Sequence, residues 1–106
     1  VSVGEFIFTS GQIPVNPVTG EIVSGDVKKA TAQCMENLKA IAEAAGCGMD
    51  DVIKATLFIK DMNDFPSINE VYGAYFKQDQ PARSCVQVAR LPKDVDIEIE
   101  AVIKKK

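Results

Sequence analysis

Histidine is absent from all 106 residues. That removes Ser–His and Cys–His nucleophilic pairs, the commonest general base at neutral pH, and most zinc and iron sites. Cysteine is scarce: Cys34, Cys47 and Cys85 make an odd set with no C-x-x-C spacing. A disulfide framework is not expected, and reduced thiols in a cytoplasmic setting fit the count. No apolar run is long enough to span a bilayer, so no membrane partner is expected. No basic, apolar and small-residue series marks a secretory signal. Positive charge is neither in excess nor clustered: the net charge is −3, and only Lys104 to Lys106 form a short basic run. A nucleic-acid partner, which needs concentrated positive charge, is not expected either. Linkers, fixed-period repeats and low-complexity segments are also missing. Any chemistry must come from carboxylates, Arg, Lys, Tyr, Cys, backbone groups and water.

What is present fits one domain over residues 1–106 with one core, since 46% of residues are apolar and 25% charged. Residues 1–9 read as a strand, broken by Ser10-Gly11. A short extended piece at 12–15 leads into the dense turn signal Asn16-Pro17-Val18-Thr19-Gly20, after which residues 21–23 pair back. Ser24, Gly25 and Asp26 are candidate caps for a helix whose apolar or small residues Val27, Ala30, Cys34, Leu38, Ile41 and Ala45 recur every three or four positions. Gly46 is its expected C-terminal stop. Residues 52–60 alternate as a strand, with Ile53, Ala55, Leu57 and Ile59 on one face. Asp64 is the expected cap of a second helix, with Pro66 in its first turn and an end near Gln78. Its apolar stripe is Phe65, Ile68, Tyr72 and Tyr75/Phe76. Residues 83–89 and 95–103 read as two further strands, and the short Leu91–Asp94 connection predicts that they pair antiparallel.

This order predicts an α/β (α+β) fold in which two helices cover one face of a single sheet. The other face mixes Val52 and Phe58 with Lys54, Lys60, Thr56, Glu98 and Glu100. Burial against further copies of the chain is the simplest way to cover its apolar part. Val1 already lies within a strand pattern, so the N-terminus reads as cut or processed.

The densest candidate for chemistry is Pro81-Ala82-Arg83-Ser84-Cys85. Strand alternation places Arg83, Cys85 and Gln87 on one face, and an arginine at a strand edge can fork two N–H groups onto a carboxylate. A surface ion pair explains Arg83 from pattern alone as well. Glu98 and Glu100 share one side of the last strand; a half-buried carboxylate there can act as base or acid, and a solvated face is the plainer reading. Cys85 fits a small buried thiol better than a nucleophile, having no base beside it. Thr9-Ser10-Gly11 can present backbone N–H groups and a hydroxyl to an anion, although turn chemistry alone explains it. Asn69 lies beside the second helix's apolar stripe, where its amide can orient a ligand or a loop. Tyr72 and Tyr75 fit core or interface positions with outward-reaching hydroxyls.

Several stretches together resemble the RidA/YjgF family: FTSGQIPVNPVTGEIV, ENLKAIAEAAGC, DVIKATLFIKDMNDFPSINEVYGAYF and, most specifically, PARSCVQVARLPKDVDIEIEAVI. The resemblance implies a chorismate mutase-like trimeric fold, a homotrimer with sheets inward, helices outward and clefts between subunits. It implies hydrolytic deamination of enamines and imines, such as 2-aminoacrylate and 2-imino acids, to 2-oxo acids and ammonia, with no metal and no cofactor. Matched to the family motif, Arg83 clamps the substrate carboxylate and Glu98 activates water. Backbone groups at Cys85 contact the substrate nitrogen or the water, Ser10 and Gly11 line the cleft, and Asn69 supports it. The small-molecule partner is then an imine or a 2-oxo acid. Family chains begin with a segment carrying a Gly-Pro-Tyr-Ser element whose tyrosine closes over the ligand, and this sequence starts after it. Competing readings are a small-carboxylate sensor without turnover and a ribonuclease or translation inhibitor.

Overall fold

Alternation of apolar side chains decides the sheet. The computed structural model describes all residues, 1–106. Its strands are β1 (Ser2–Val3), β2 (Phe6–Phe8), β3 (Val52–Ile59), β4 (Ala82–Gln87) and β5 (Ile97–Lys104), and its helices are α1 (Val27–Ala44) and α2 (Phe65–Gly73). The strand order is β1-β2-β5-β3-β4. Ala55, Leu57 and Ile59 of β3 and Ile97, Ile99, Ala101 and Ile103 of β5 are buried on one face, against Ala30, Cys34 and Leu38 of α1 and Ile68 and Tyr72 of α2. Both helices therefore cover the same face, as expected of an α+β arrangement. The opposite face carries Lys54, Thr56, Phe58, Glu98, Glu100 and Val102, all half-buried, with Phe6, Phe8 and Val86 exposed.

Local chemistry explains the helix ends. Asp26, rather than Ser24 or Gly25, caps α1: its carboxylate accepts from the N–H groups of Lys28 and Lys29. Past its end, Gly46 takes a left-handed φ of 75°, the conformation glycine tolerates best. The turn at 16–20 and the pair-back of 21–23 also form, with Val15 bridging Ile22.

Four expectations need correction. Residues 1–9 are not one strand but a hairpin, folded at Gly4-Glu5 with Gly4 at φ 57°, where a glycine at the first central position lets the turn match the strand twist. Ile53 leaves the buried face of β3 because the register shifts between Val52 and Lys54, so Val52 is buried and Ile53 is 41% exposed. Helix α2 ends at Gly73 instead of near Gln78, and Asp64 makes no side-chain cap; Asp61 instead accepts from Asn63 N–H, one turn earlier. Finally, β4 and β5 do not pair. β3 lies between them, parallel to β4 and antiparallel to β5. Helix α2 between β3 and β4 supplies the long crossover that parallel pairing needs. Residues 88–96 then cross the end of β3, where Lys60 N–H bonds Asp96 O and Val88 N–H bonds Ile59 O.

Candidate active site

The site residues expected from the sequence fall into two groups on opposite faces of the sheet. The first surrounds Arg83. In the parallel ladder Arg83 lies beside Ala55 and Cys85 beside Leu57, so both point to the helix-covered face. Arg83 meets one side of α2 there. Its Nη1 donates to Asn69 Oδ1 at 2.5 Å. Its guanidinium carbon lies 5.0 Å from the Phe65 ring centroid and 5.3 Å from that of Tyr72, within cation–π range. Phe65, Asn69 and Tyr72 recur at helical spacing, which puts them on one face of α2. Arg83 forms no ion pair; the chain's ion pairs are Lys28–Glu70, Arg90–Asp94, Lys104–Glu5 and Lys106–Asp51. The surface ion pair that pattern alone allowed does not form within the chain. A cleft of about 420 Å³ opens beside it, lined by Asn69, Tyr72, Gly73, Gln80, Pro81 and Arg83.

β4 is an edge strand, and its hydrogen-bond phase matters. Val88 N–H donates to Ile59 O. The two-residue period of a parallel ladder then turns the N–H and C=O groups of Arg83, Cys85 and Gln87 away from β3, toward the free edge. Backbone donors at Cys85 are thus presented on the strand that carries the guanidinium. Burial pushes the Cys85 thiol up, only partly offset by the Arg83 charge, so it stays protonated and is a poor nucleophile.

The second group surrounds Glu98. Glu98 pairs with Phe58 while its neighbours Ile97 and Ile99 are fully buried, so its side chain leaves by the open face. Thr9 N–H bonds Ala101 O and Gln12 N–H bonds Ile99 O. Three steps along one segment match two along the other, so Ser10-Gly11 bulges. Gly11 comes so close to Glu98 that a Cβ there would collide with Glu98 Oε2 and sit 2.7 Å from its Cδ. The missing side chain of Gly11 leaves room for the carboxylate end of Glu98 to lie against the bulge. Glu98 makes no ion pair within the subunit.

The structure thus joins Arg83 with Asn69 and Cys85, and Glu98 with Gly11 and its neighbour Ser10. It does not join the two groups: they lie on opposite faces, with β3 between their strands. Antiparallel pairing of β4 with β5 would have brought Arg83 and Glu98 into one neighbourhood; with β3 between the strands, it does not. Pattern places Phe65 and Tyr72 on the apolar stripe and does not link either ring to Arg83; the Phe65, Asn69, Tyr72 spacing is the available signal for a shared face. The Tyr72 hydroxyl is buried without a partner rather than outward-reaching, whereas that of Tyr75 does reach Glu36 at 2.6 Å.

Known proteins resemble this chain along nearly its whole length. The family model described as endoribonuclease L-PSP matches residues 1–105. The chain is 58% identical over 105 residues to a RutC family protein of Pyrococcus horikoshii, covering 99% of this chain and 83% of that one. It is 56% identical to the 2-iminobutanoate/2-iminopropanoate deaminase of Escherichia coli K12, covering 96% of this chain and 81% of that one. Among solved structures, the Escherichia coli YjgF gene product superposes with a TM-score of 0.94 at 52% identity, covering 100% of this chain and 85% of that one. Escherichia coli TdcF, solved with bound serine, gives 0.94 at 54% identity with the same coverage. With a family match over nearly all its residues and relatives this similar along most of their own length, the chain belongs to the endoribonuclease L-PSP family, that of RidA and YjgF.

Proposed function

We propose that this chain hydrolyses 2-imino acids and their enamine tautomers, such as 2-aminoacrylate, to 2-oxo acids and ammonia. One observation carries the reading most: Arg83 is oriented by an amide and two rings, with no acidic side chain on it. Its charge is left for a ligand carboxylate, and the backbone edge at Cys85 offers further donors. A forked grip on the carboxylate fixes the adjoining imine carbon and supplies much of the orientation a bimolecular attack needs. Glu98 is the base: it takes a proton from water as the oxygen attacks that carbon. That proton passes to the nitrogen as the C=N π bond opens, giving a carbinolamine; a second proton, from the new hydroxyl, follows through Glu98 as the C=O bond forms, the C–N bond breaks and ammonia leaves. Ser10 and Gly11 line this side of the cleft, and Asn69 holds Arg83.

The two half-sites require a second subunit. A surface bearing Arg83 meeting a different surface bearing Glu98 is a heterologous contact, which closes into a ring if the rotation allows. A homotrimer of single-domain subunits, residues 1–106 each, satisfies this. It also covers the open sheet face with Phe6, Phe8, Phe58 and Val86. Three unpaired thiols suit the cytoplasm. The partner is a small imine or 2-oxo acid; no helix is long and apolar enough to cross a membrane.

The test is decay of 2-iminopropanoate generated in situ by an amino-acid oxidase, followed through pyruvate and ammonia. The wild-type chain accelerates it. Arg83→Ala, a strand-edge change, loses turnover with an unchanged melting curve. Glu98→Gln lowers kcat by about 10²–10⁴, the usual worth of a general base. Full activity in either folded variant refutes the assignment of that residue.

A further inference from the structure

Arginine side chains are long and lose much rotational freedom when fixed. An enzyme that uses one to bind an anion has two ways to fix it. A neighbouring carboxylate does so strongly, but it neutralises the guanidinium and competes with the ligand. Neutral groups do so without spending the charge. Around Arg83 all three contacts are neutral: the Asn69 carbonyl oxygen and the Phe65 and Tyr72 rings. They come from successive turns of α2, so one rigid element sets the guanidinium's position and tilt. Phe65 is half-buried and Tyr72 only 2% exposed, and both pack on the core, so neither ring is free to turn away.

We propose that Phe65 and Tyr72 are positioning residues for Arg83, forming with Asn69 a charge-sparing cradle that sets its affinity for the substrate carboxylate. The inference rests on the deaminase reading above, in which Arg83 binds that carboxylate. The Tyr72 hydroxyl takes no part: it is buried with no hydrogen-bond partner, and burial pushes its pKa up despite the Arg83 charge, so it stays neutral. The ring is the active portion. Because orientation by flat faces needs a flat cation, the cradle also selects arginine over lysine at position 83.

The experiment compares Phe65→Leu and Tyr72→Leu with the ring-keeping Phe65→Tyr and Tyr72→Phe. Each is assayed for KM and kcat with 2-iminopropanoate, and for pyruvate affinity by calorimetry. The leucine variants are expected to raise KM and the pyruvate Kd by about tenfold, the scale of a desolvated cation–π contact, with kcat changed by less than about threefold. The ring-keeping variants recover most of that loss. A general loosening of the fold would instead lower kcat and melting temperature together. Folded leucine variants with wild-type KM and Kd overturn the proposal. So does Tyr72→Phe losing as much as Tyr72→Leu, which would make the hydroxyl a direct ligand. Should the leucine variants not fold, the Arg83 side-chain proton resonances of the wild-type protein decide. Upfield displacement by the rings supports the cradle, and unstructured shifts overturn it. Failure of the deaminase reading is distinct: the wild type would not turn over and Arg83→Ala would bind pyruvate normally, while the ring-current shifts persisted.

Discussion

A single hydrogen atom on Gly11 makes room for Glu98. Gly11→Ala adds a Cβ that meets the carboxylate end of Glu98, a flexible group able to swing aside. The fold is therefore expected to survive with a melting temperature near that of wild type, while kcat falls by about tenfold or more as the base leaves its position. Steady-state assays beside a melting curve check this, and equal activity would show that Glu98 need not sit there. Cys34 makes a second residue-scale prediction. It is fully buried with its thiol against Ile97 O, and burial, aided by the Glu98 charge, pushes its pKa up from 9.0 to about 12. The folded value lies above the unfolded one, so this stabilising contribution is complete below pH 9 and is lost as pH rises toward 12. The Tyr75 phenol moves the same way, through burial and its bond to Glu36. Denaturant unfolding should weaken across that alkaline window, and Cys34 should resist alkylation at neutral pH until the protein unfolds, as read by mass spectrometry.

At the scale of elements, caps and crossovers explain where α1 begins and why β4 runs as it does. Asp26→Ala removes the acceptor for two N–H groups at the start of α1. It is expected to cost about 1 kcal/mol, measured by denaturant unfolding at fixed protomer concentration, with turnover unchanged because the Asp26 side chain bonds only the N–H groups of Lys28 and Lys29. The pairing of β4 shows where element-level reading erred. A short connection argued for β4 beside β5. Yet β3, α2 and β4 form a strand-helix-strand unit, the usual connection between parallel neighbours. That unit leaves open which of its two strands takes β5; the structure puts β5 on β3, which separates Arg83 from Glu98.

At the scale of the whole molecule, the separation of the two half-sites becomes a prediction. If each cleft takes Arg83 from one subunit and Glu98 from its neighbour, Arg83→Ala and Glu98→Gln proteins, each inactive alone, should regain activity when unfolded together and reassembled. In a mixed ring one cleft receives both intact residues. No recovery in mixed assemblies, verified by native mass spectrometry, would place both residues of a cleft on one subunit. Sedimentation should report a trimer.

The chain's own pattern determined the helix-covered face, the caps near Asp26 and Gly46, the shared faces of Arg83 with Cys85 and of Glu98 with Glu100, and the residues that carry the family resemblance. These are local properties: a period of two or of three to four, a turn residue, a motif. Only the tertiary structure decided the strand order, the bulges at Ile53 and Ser10-Gly11, the contact of Gly11 with Glu98, and the placement of two aromatic rings on Arg83. Each of these depends on which distant segments meet. Side-chain periodicity tells which way a residue faces within its own strand or helix, and not which strand or helix lies beside it.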